Sequence, residues 1–268
     1  MLMVRRIFTF LIVYSFCLSA DTSLNSKIPL NIWQTDKSKA LSIPAIEAQQ
    51  TWISLNPEFS YFLYDDADIE LYIRQKWTSE ILDFFHALPI GAMKADLWRY
   101  LILATEGGVY SDIDSICIKP IREWPLKGRT SGPHVLLIDL DSNQSQFCQW
   151  TFASTPGHPA MLYVCNFVMR QWKKKGILRN SDGTINVLGT TGPAIFSSAI
   201  KSYIGEPDVP AFKILKKYVK DKDYRRRLNG LGIFFTNKGF FSGVGAKNLF
   251  WGSWSQEAKK LDHEKNWR

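Results

Sequence analysis

Asp112 and Asp114 stand one residue apart at the end of a short apolar stretch, Val109 to Ile113, just past Gly107-Gly108. On an extended backbone, residues two apart face the same way. Both carboxylates could then meet one hard divalent cation, Mn²⁺ or Mg²⁺, which prefers oxygen ligands. Waters and diphosphate oxygens would complete the octahedron, and the cation would neutralise a nucleotide diphosphate as it leaves. The spacing alone is a weak signal. With 16 Asp in the chain, chance gives about one D-x-D pair. Four occur, at 66/68, 112/114, 139/141 and 221/223. The 221/223 pair lies in a charge run, which favours a solvated role. The 112/114 pair is set apart by apolar flanks and by the helix that precedes it.

That helix carries a second polar pair, Asp96 and Arg99, among Leu97, Tyr100, Leu101 and Ala104. Three residues apart, the two share a helix face. They could form a structural ion pair. Beside a metal-type pair they could instead bind a ligand. A carboxylate accepts hydrogen bonds from sugar hydroxyls, and a guanidinium donates to hydroxyl or phosphate oxygens.

The elements that must position these residues follow from periodicity. Ile28 to Trp33 and Phe59 to Tyr64 read as strands. Helices are predicted over 44–55, opened by Pro44, then near 66–76 and 78–87, and over Gly91 to Glu106. Gly107-Gly108 would cap the last of these in the left-handed conformation. Val109 to Ile113, Val135 to Leu140 and Gln149 to Ala153 are further strands. Helices run from His158-Pro159 to about Lys174 and from Thr190 to about Tyr203. His158 reads as a turn or N-cap residue. Trp77, Trp150 and Trp172 read as core. The aromatic tail, with Phe234-Phe235, Phe240-Phe241, Phe250-Trp251 and Trp254, reads as irregular. Strands alternating with helices predict an α/β sheet covered by helices. Such sheets bind ligands at the carboxyl ends of their strands.

The whole chain has 268 residues, 46% hydrophobic and 22% charged, which excludes a disordered, collagenous or coiled-coil protein. Arg5-Arg6 precede an apolar run, Ile7 to Ala20, too short for a membrane span of roughly 20 residues. Residues 1–20 are therefore expected to be a signal peptide or short signal anchor. Residues 21–27 read as a linker, and 28–268 as one catalytic domain. The net charge of +8 is concentrated in residues 213–227, with a second cluster at Arg170, Lys173, Lys174, Lys175 and Arg179. Such clusters are usually solvated helix faces, but they also favour phosphates or anionic lipid. Nucleic acid is not expected, because no recognition motif accompanies the charge. Cys17, Cys117, Cys148 and Cys165 make neither a C-x-x-C pair nor a zinc pattern. The four His have no metal-type spacing, and neither G-x-S-x-G nor a phosphate-binding glycine loop occurs.

The stretch ADLWRYLILATEGGVYSDIDS resembles the DXD sugar-binding region of family 32 glycosyltransferases. That group includes initiating α-1,6-mannosyltransferases and sphingolipid mannosyltransferases, and the stretch is also similar to the core of the large clostridial glucosylating toxins. IPLNIWQTDK, NPEFSYFLYDD, FASTPGHP, TTGP and GSW at 252–254 resemble other family segments in the same order. The resemblance implies a GT-A fold, a Rossmann-like mixed sheet flanked by helices. It implies that Asp96 and Arg99 hold the donor sugar, that Asp112 contacts ribose and sugar, and that Asp114 binds the metal. By the same resemblance, Trp33, Gln34 and Thr35 flank the nucleotide, and Ser253 and Trp254 close over the diphosphate. Two positions depart from the pattern. Trp33 stands where relatives usually carry His, and Asn248 stands where many carry a metal-binding His. Asn248 still offers an oxygen ligand.

The implied activity is metal-dependent, retaining transfer of a hexose from a nucleotide diphosphate sugar, GDP-mannose or a UDP-hexose. The acceptor would be a hydroxyl of a glycan, lipid or protein. Membrane association through the N-terminal segment or the basic tail is open. Nucleotide sugars and an N-terminal leader together imply a Golgi-type lumenal enzyme or an exported one. Two other readings stand beside this. Asp112 could be the nucleophile of a haloacid-dehalogenase-like phosphatase, or the chain could be an inactive carbohydrate-binding protein.

Overall fold

The computed structural model describes residues 28–124, 134–141, 145–236 and 246–248. The segment expected to be leader and linker, 1–27, the tail aromatics Phe240, Phe241, Phe250 and Trp251, and the site candidates Ser253 and Trp254 lie outside the described residues.

In chain order the elements are β1 (Asn31–Thr35), α1 (Ile43–Leu55), β2 (Ser60–Tyr64), α2 (Asp66–Lys76), α3 (Ser79–Ala87), α4 (Gly91–Thr105), β3 (Gly108–Ser111) and β4 (Ser115–Cys117). Then follow β5 (Leu136–Ile138), β6 (Thr151–Ser154), α5 (Pro159–Lys175), α6 (Val187–Thr190), α7 (Pro193–Tyr203), α8 (Ala211–Lys220), α9 (Lys222–Gly230), β7 (Ile233–Phe235) and β8 (Ala246–Asn248).

Local chemistry sets the helix starts. Ser42 Oγ accepts from the Ala45 N–H, with Pro44 in the first turn of α1. Asp65 and Asp68 form a reciprocal capping box on α2. His158 caps α5, its Nδ1 accepting from the Ala160 N–H at 3.0 Å with Pro159 beside it. The end of α4 also follows the expected route. Gly107 (φ +66°) and Gly108 (φ +100°) turn the chain straight into β3. A Cβ on Gly107 would lie 2.6 Å from the Pro156 nitrogen, and one on Gly108 would lie 2.7 Å from the Asn31 carbonyl oxygen. Only glycine fits either place.

Six strands form one mixed sheet in the order β2-β1-β3-β6-β5-β7. β1 pairs in parallel with β2 and β3, β6 runs antiparallel to β3 and β5, and β5 is parallel to β7. Alternation along the strands divides the core. Trp33, Tyr110, Phe152, Leu136, Ile138 and Phe235 pack with residues of helices α2 to α9 on one face. Ile32, Val109, Ala153, Leu137 and Phe234 pack on the other with Trp52 of α1, Trp124, and Cys117 and Ala246 of the small antiparallel pair β4–β8. The sheet is thus covered on both faces. Helix α4 is buried on every side from Asp96 to Ala104, as befits a central helix. Burying Leu97, Trp98, Tyr100, Leu101, Ile102 and Leu103 contributes roughly 10 kcal/mol or more. That outweighs the cost of several kcal/mol for burying the charged pair on the same helix.

Three expectations need correction. β3 ends at Ser111, not Ile113, because the Ser115 N–H turns back to the Asp112 carbonyl at 3.0 Å. Asp112 and Asp114 therefore lie on a turn between β3 and β4 rather than on extended strand. The aromatic tail is not irregular from its start, since Phe234-Phe235 belong to the edge strand β7; the charge run at 213–227 lies on helices α8 and α9, as a helix-face reading expects. The strand expected over Ile28 to Trp33 is shifted to Asn31–Thr35, where it pairs with both neighbours.

Candidate functional site

The structure accounts for the other three D-x-D pairs by local roles. Asp68 completes the α2 capping box and Asp66 pairs with Lys94 at 2.5 Å. Asp141 accepts from the Ser145 and Gln146 N–H groups, closing a loop, and Asp139 accepts from the Leu140 N–H. Asp221 caps α9, and Asp223 pairs with Arg226 on the surface.

Asp112 is differently placed, at the carboxyl end of β3 in the middle of the sheet. Its N–H donates to the Trp150 carbonyl at 2.8 Å. Its carbonyl oxygen accepts from the Ser115 N–H and from Gln34 Nε2 at 2.9 Å. Gln34 is fully buried and is fixed in turn by the Tyr61 hydroxyl, which donates to Gln34 Oε1 at 2.6 Å. The backbone of the turn is therefore held from β1 and from the residue that leads into β6.

The Asp112 side chain joins a buried network. Arg99 Nη2 donates to Asp112 Oδ1 at 2.7 Å, and the Tyr110 hydroxyl donates to the same oxygen at 2.8 Å. Arg99 Nη1 meets Asp96 Oδ1 at 2.8 Å and also donates to Gln149 Oε1. Gln149 Nε2 donates to Asp96 Oδ1 at 2.8 Å, and the Thr191 hydroxyl donates to Asp96 Oδ2 at 2.9 Å. Asp96 and Arg99 are almost wholly buried, whereas the Asp112 side chain keeps 24% of its surface exposed. One guanidinium thus bridges a buried carboxylate and a partly exposed one. Arg99 Nε has no partner among the described residues. A carboxylate has about four acceptor sites, and Asp96 uses three. A donor and an acceptor thus remain on the ion pair itself.

Burial raises the Asp112 and Asp96 carboxyls above their ordinary range, and Arg99 opposes the rise in both. The two carboxylates hold Arg99 firmly cationic despite its burial. Burial also keeps the Tyr110 phenol well above its ordinary value, so it remains a neutral donor.

Asp114 lies on the same turn, partly exposed. Among the described residues no group of three His, Cys, Asp or Glu is placed to hold a metal ion. Asp112 and Asp114 could hold a hard cation only if ligand oxygens and water completed its shell. The donor set fits that role, since the turn and its network carry three carboxylates against one guanidinium. Asn248 enters through its backbone. β8 pairs antiparallel with β4 so that Asn248 lies opposite Ser115, the residue after Asp114.

The remaining candidates have structural surroundings. Trp33 is buried, stacks on Phe62 at 4.5 Å and donates from Nε1 to the Gly107 carbonyl at 2.7 Å. The Thr35 hydroxyl donates to the Tyr64 carbonyl at 2.8 Å. Sequence reasoning missed Gln149, Tyr110 and Thr191 as members of the network. Thr191 lay within the TTGP segment and Tyr110 two residues before Asp112, but neither position revealed its contact. Nothing local marked Gln149, whose partners are 50 and 53 residues away.

The chain is similar to known proteins in sequence and in fold. Residues 44–130 match the family described as glycosyltransferase sugar-binding region containing DXD motif. The chain is 30% identical to an initiation-specific alpha-1,6-mannosyltransferase of Candida albicans over 230 residues, 74% of this chain and 59% of that protein. It is 28% identical to a mannosyl phosphorylinositol ceramide synthase of Saccharomyces cerevisiae over 179 residues, 66% of this chain and 43% of that one. The chain thus spans about half the length of these curated relatives. In fold it is similar to the PaToxG glycosyltransferase, with a TM-score of 0.53 at 17% identity, covering 86% of this chain and 90% of that one. The fold is GT-A-like, as in that glycosyltransferase, and residues 44–130 are similar to glycosyltransferase sugar-binding regions that contain a DXD motif.

Proposed function

We propose that the chain is a retaining glycosyltransferase that moves a hexose from a nucleotide diphosphate sugar to a hydroxyl acceptor on a glycan, lipid or protein. Mannose from GDP-mannose is the first donor to test, because the relatives' names include mannosyltransferases. The carrying observation is Arg99, which bridges Asp96 and Asp112 at the carboxyl end of the central strand, within the matched region.

Each residue has a derived part. The spare acceptor site of Asp96 and the free Nε–H of Arg99 suit sugar hydroxyls. Asp112, held by Arg99 and Tyr110, presents its exposed edge toward the ribose and sugar. Gln34 fixes the backbone of the turn, so the carboxylates need no reorganisation on binding. Asp114 and Asp112 would hold Mn²⁺ or Mg²⁺, with Asn248 a further candidate ligand, and the cation would neutralise charge on the departing diphosphate. Ser253 and Trp254 would close over that diphosphate. Asp112 is already engaged by Arg99 and Tyr110, which suits a fixed ligand better than an attacking nucleophile. It also follows the third strand of the chain, which counts against the phosphatase reading. Front-face attack, in which the leaving diphosphate takes the acceptor's proton, would require no protein nucleophile. A secretory-pathway location belongs to the same reading.

The test is donor hydrolysis with GDP-mannose, UDP-glucose, UDP-galactose and UDP-N-acetylglucosamine, with Mn²⁺ or EDTA. Metal-dependent release of one nucleotide, lost in Asp114→Ala, is the expected result. Phosphatase activity that survives removal of nucleotide sugar would overturn the reading.

A further inference from the structure

We propose that the outer face of α8 docks on an anionic lipid surface. The helix buries Ala211, Ile214, Leu215 and Tyr218 and turns everything else outward. The Tyr218 ring packs edge-on against Phe235 of β7 at 5.0 Å, and its hydroxyl donates to Asn229 Oδ1 of α9 at 2.8 Å. The inner face is therefore fully used by the fold.

The outer face carries exposed lysines and large exposed apolar side chains together. Lys213, Lys216 and Lys220 recur at spacings of three and four, all exposed, and none forms an ion pair among the described residues. The neighbouring basic residues are partly neutralised. Arg226 pairs with Asp223, Arg227 pairs with Glu206, and Lys217 lies over the Tyr224 ring at 4.3 Å. Beside these lysines, Phe212 and Val219 stand seven residues apart on one stripe, 42% and 64% exposed. Large apolar side chains set among unpaired cations suit the headgroup–acyl boundary of an acidic bilayer. The lysines would meet lipid phosphates and carboxylates while Phe212 and Val219 enter the interface. A polynucleotide would neutralise the lysines but offers an exposed valine no apolar partner. Over residues 211–230 eight Lys or Arg face only Asp221 and Asp223, so the attraction extends beyond the one helix.

The test uses the full chain and vesicles of phosphatidylcholine, alone or with about 30% phosphatidylserine. Cosedimentation on neutral vesicles gives the baseline, including any contribution from the apolar run at 7–20. Adding phosphatidylserine should raise binding, and raising salt from about 0.1 to about 0.5 M should remove the gain. A lysine near an acidic surface strengthens binding about fivefold, so Lys213→Gln/Lys216→Gln/Lys220→Gln should lose on the order of a hundredfold. Phe212→Ser/Val219→Ser should weaken binding several-fold at unchanged charge. Lys173→Gln/Lys174→Gln/Lys175→Gln, on α5, should retain the gain. All substituted residues are exposed, and far-UV circular dichroism checks that each variant keeps its helices. Equal binding to both vesicle types would overturn the proposal, as would an unchanged lysine variant or an unchanged Phe212/Val219 variant. Binding of single-stranded RNA that falls in parallel with the lysine variant, without a vesicle effect, would assign the face to nucleic acid instead. Vesicle binding is read without any transfer assay, so its failure leaves the proposed activity untouched.

Discussion

Arg99 reaches Asp112 at 2.7 Å with one terminal nitrogen while the other holds Asp96 at 2.8 Å. Two carboxylates 16 residues apart, one buried and one partly exposed, are joined by a single side chain. Removing it by Arg99→Ala would leave buried carboxylate charge without its partner, which costs about 3–5 kcal/mol. Chemical denaturation should show that loss. Arg99→Lys keeps the charge but cannot span both carboxylates with a planar fork. It should cost less stability than Arg99→Ala and still lower donor turnover by at least tenfold.

Gln34 offers a separate test of positioning. Its amide holds the Asp112 carbonyl and accepts from Tyr61. Gln34→Leu strips the Tyr61 hydroxyl of its acceptor and leaves the Asp112 carbonyl only its Ser115 partner, which should cost about 1–3 kcal/mol. If the turn is held for catalysis, kcat should fall more than donor KM rises. Gln34→Glu can still accept from Tyr61 but offers Asp112 no N–H, so kcat should fall in that variant too. Unchanged kcat in both would reduce Gln34 to packing.

The Gly108 backbone has no room for a side chain, being left-handed and within 2.7 Å of the Asn31 carbonyl as measured from a Cβ. Gly108→Ala should destabilise the fold by about 2 kcal/mol or more, since strain and a backbone clash act together. Gly157, also left-handed but with open space around it, should tolerate alanine better. Thermal melting of the two variants side by side reads the difference.

His158 predicts a pH dependence of stability. Burial lowers its pKa to about 4 from an ordinary 6.5, with the Gly232 carbonyl opposing. The unfolded chain therefore binds a proton that the folded chain refuses. The contribution is fully present above about pH 6.5 and is lost as pH falls toward 4, in total about 3 kcal/mol. His158→Asn can still cap α5 and should flatten that part of the profile. Urea midpoints for both proteins at pH 7.5, 5.5 and 4.5 check this, and parallel profiles would contradict it.

Much of the fold was legible because its signals are local. The starts of α1 and α2 follow from Ser42-Pro44 and the Asp65 box, and the end of α4 from Gly107-Gly108. His158 announced itself as a cap through the proline after it. The resemblance brought Asp96, Arg99, Asp112 and Asp114 to notice, but not how they are joined. Spacing suggested an extended D-x-D. The turn is held because the Ser115 N–H and Gln34 Nε2 both donate to the Asp112 carbonyl, and Gln34 comes from a strand 78 residues earlier. Gln149 was invisible for the same reason, since its role exists only once β6 lies beside β3. In the charge run at 213–227, the sequence could show the excess of lysine but not which face it occupies. Burial of Ile214, Leu215 and Tyr218 decides that.

The central claim is that the Asp112–Asp114 turn, braced through Arg99, receives a nucleotide diphosphate sugar with a divalent cation. Calorimetric titration of GDP-mannose into the protein tests it most directly, with Mn²⁺ and with EDTA, for wild type and Asp114→Ala. Binding in Mn²⁺ that weakens at least tenfold in EDTA, and equally in Asp114→Ala, is the predicted result. Binding of the same strength under all four conditions would contradict it.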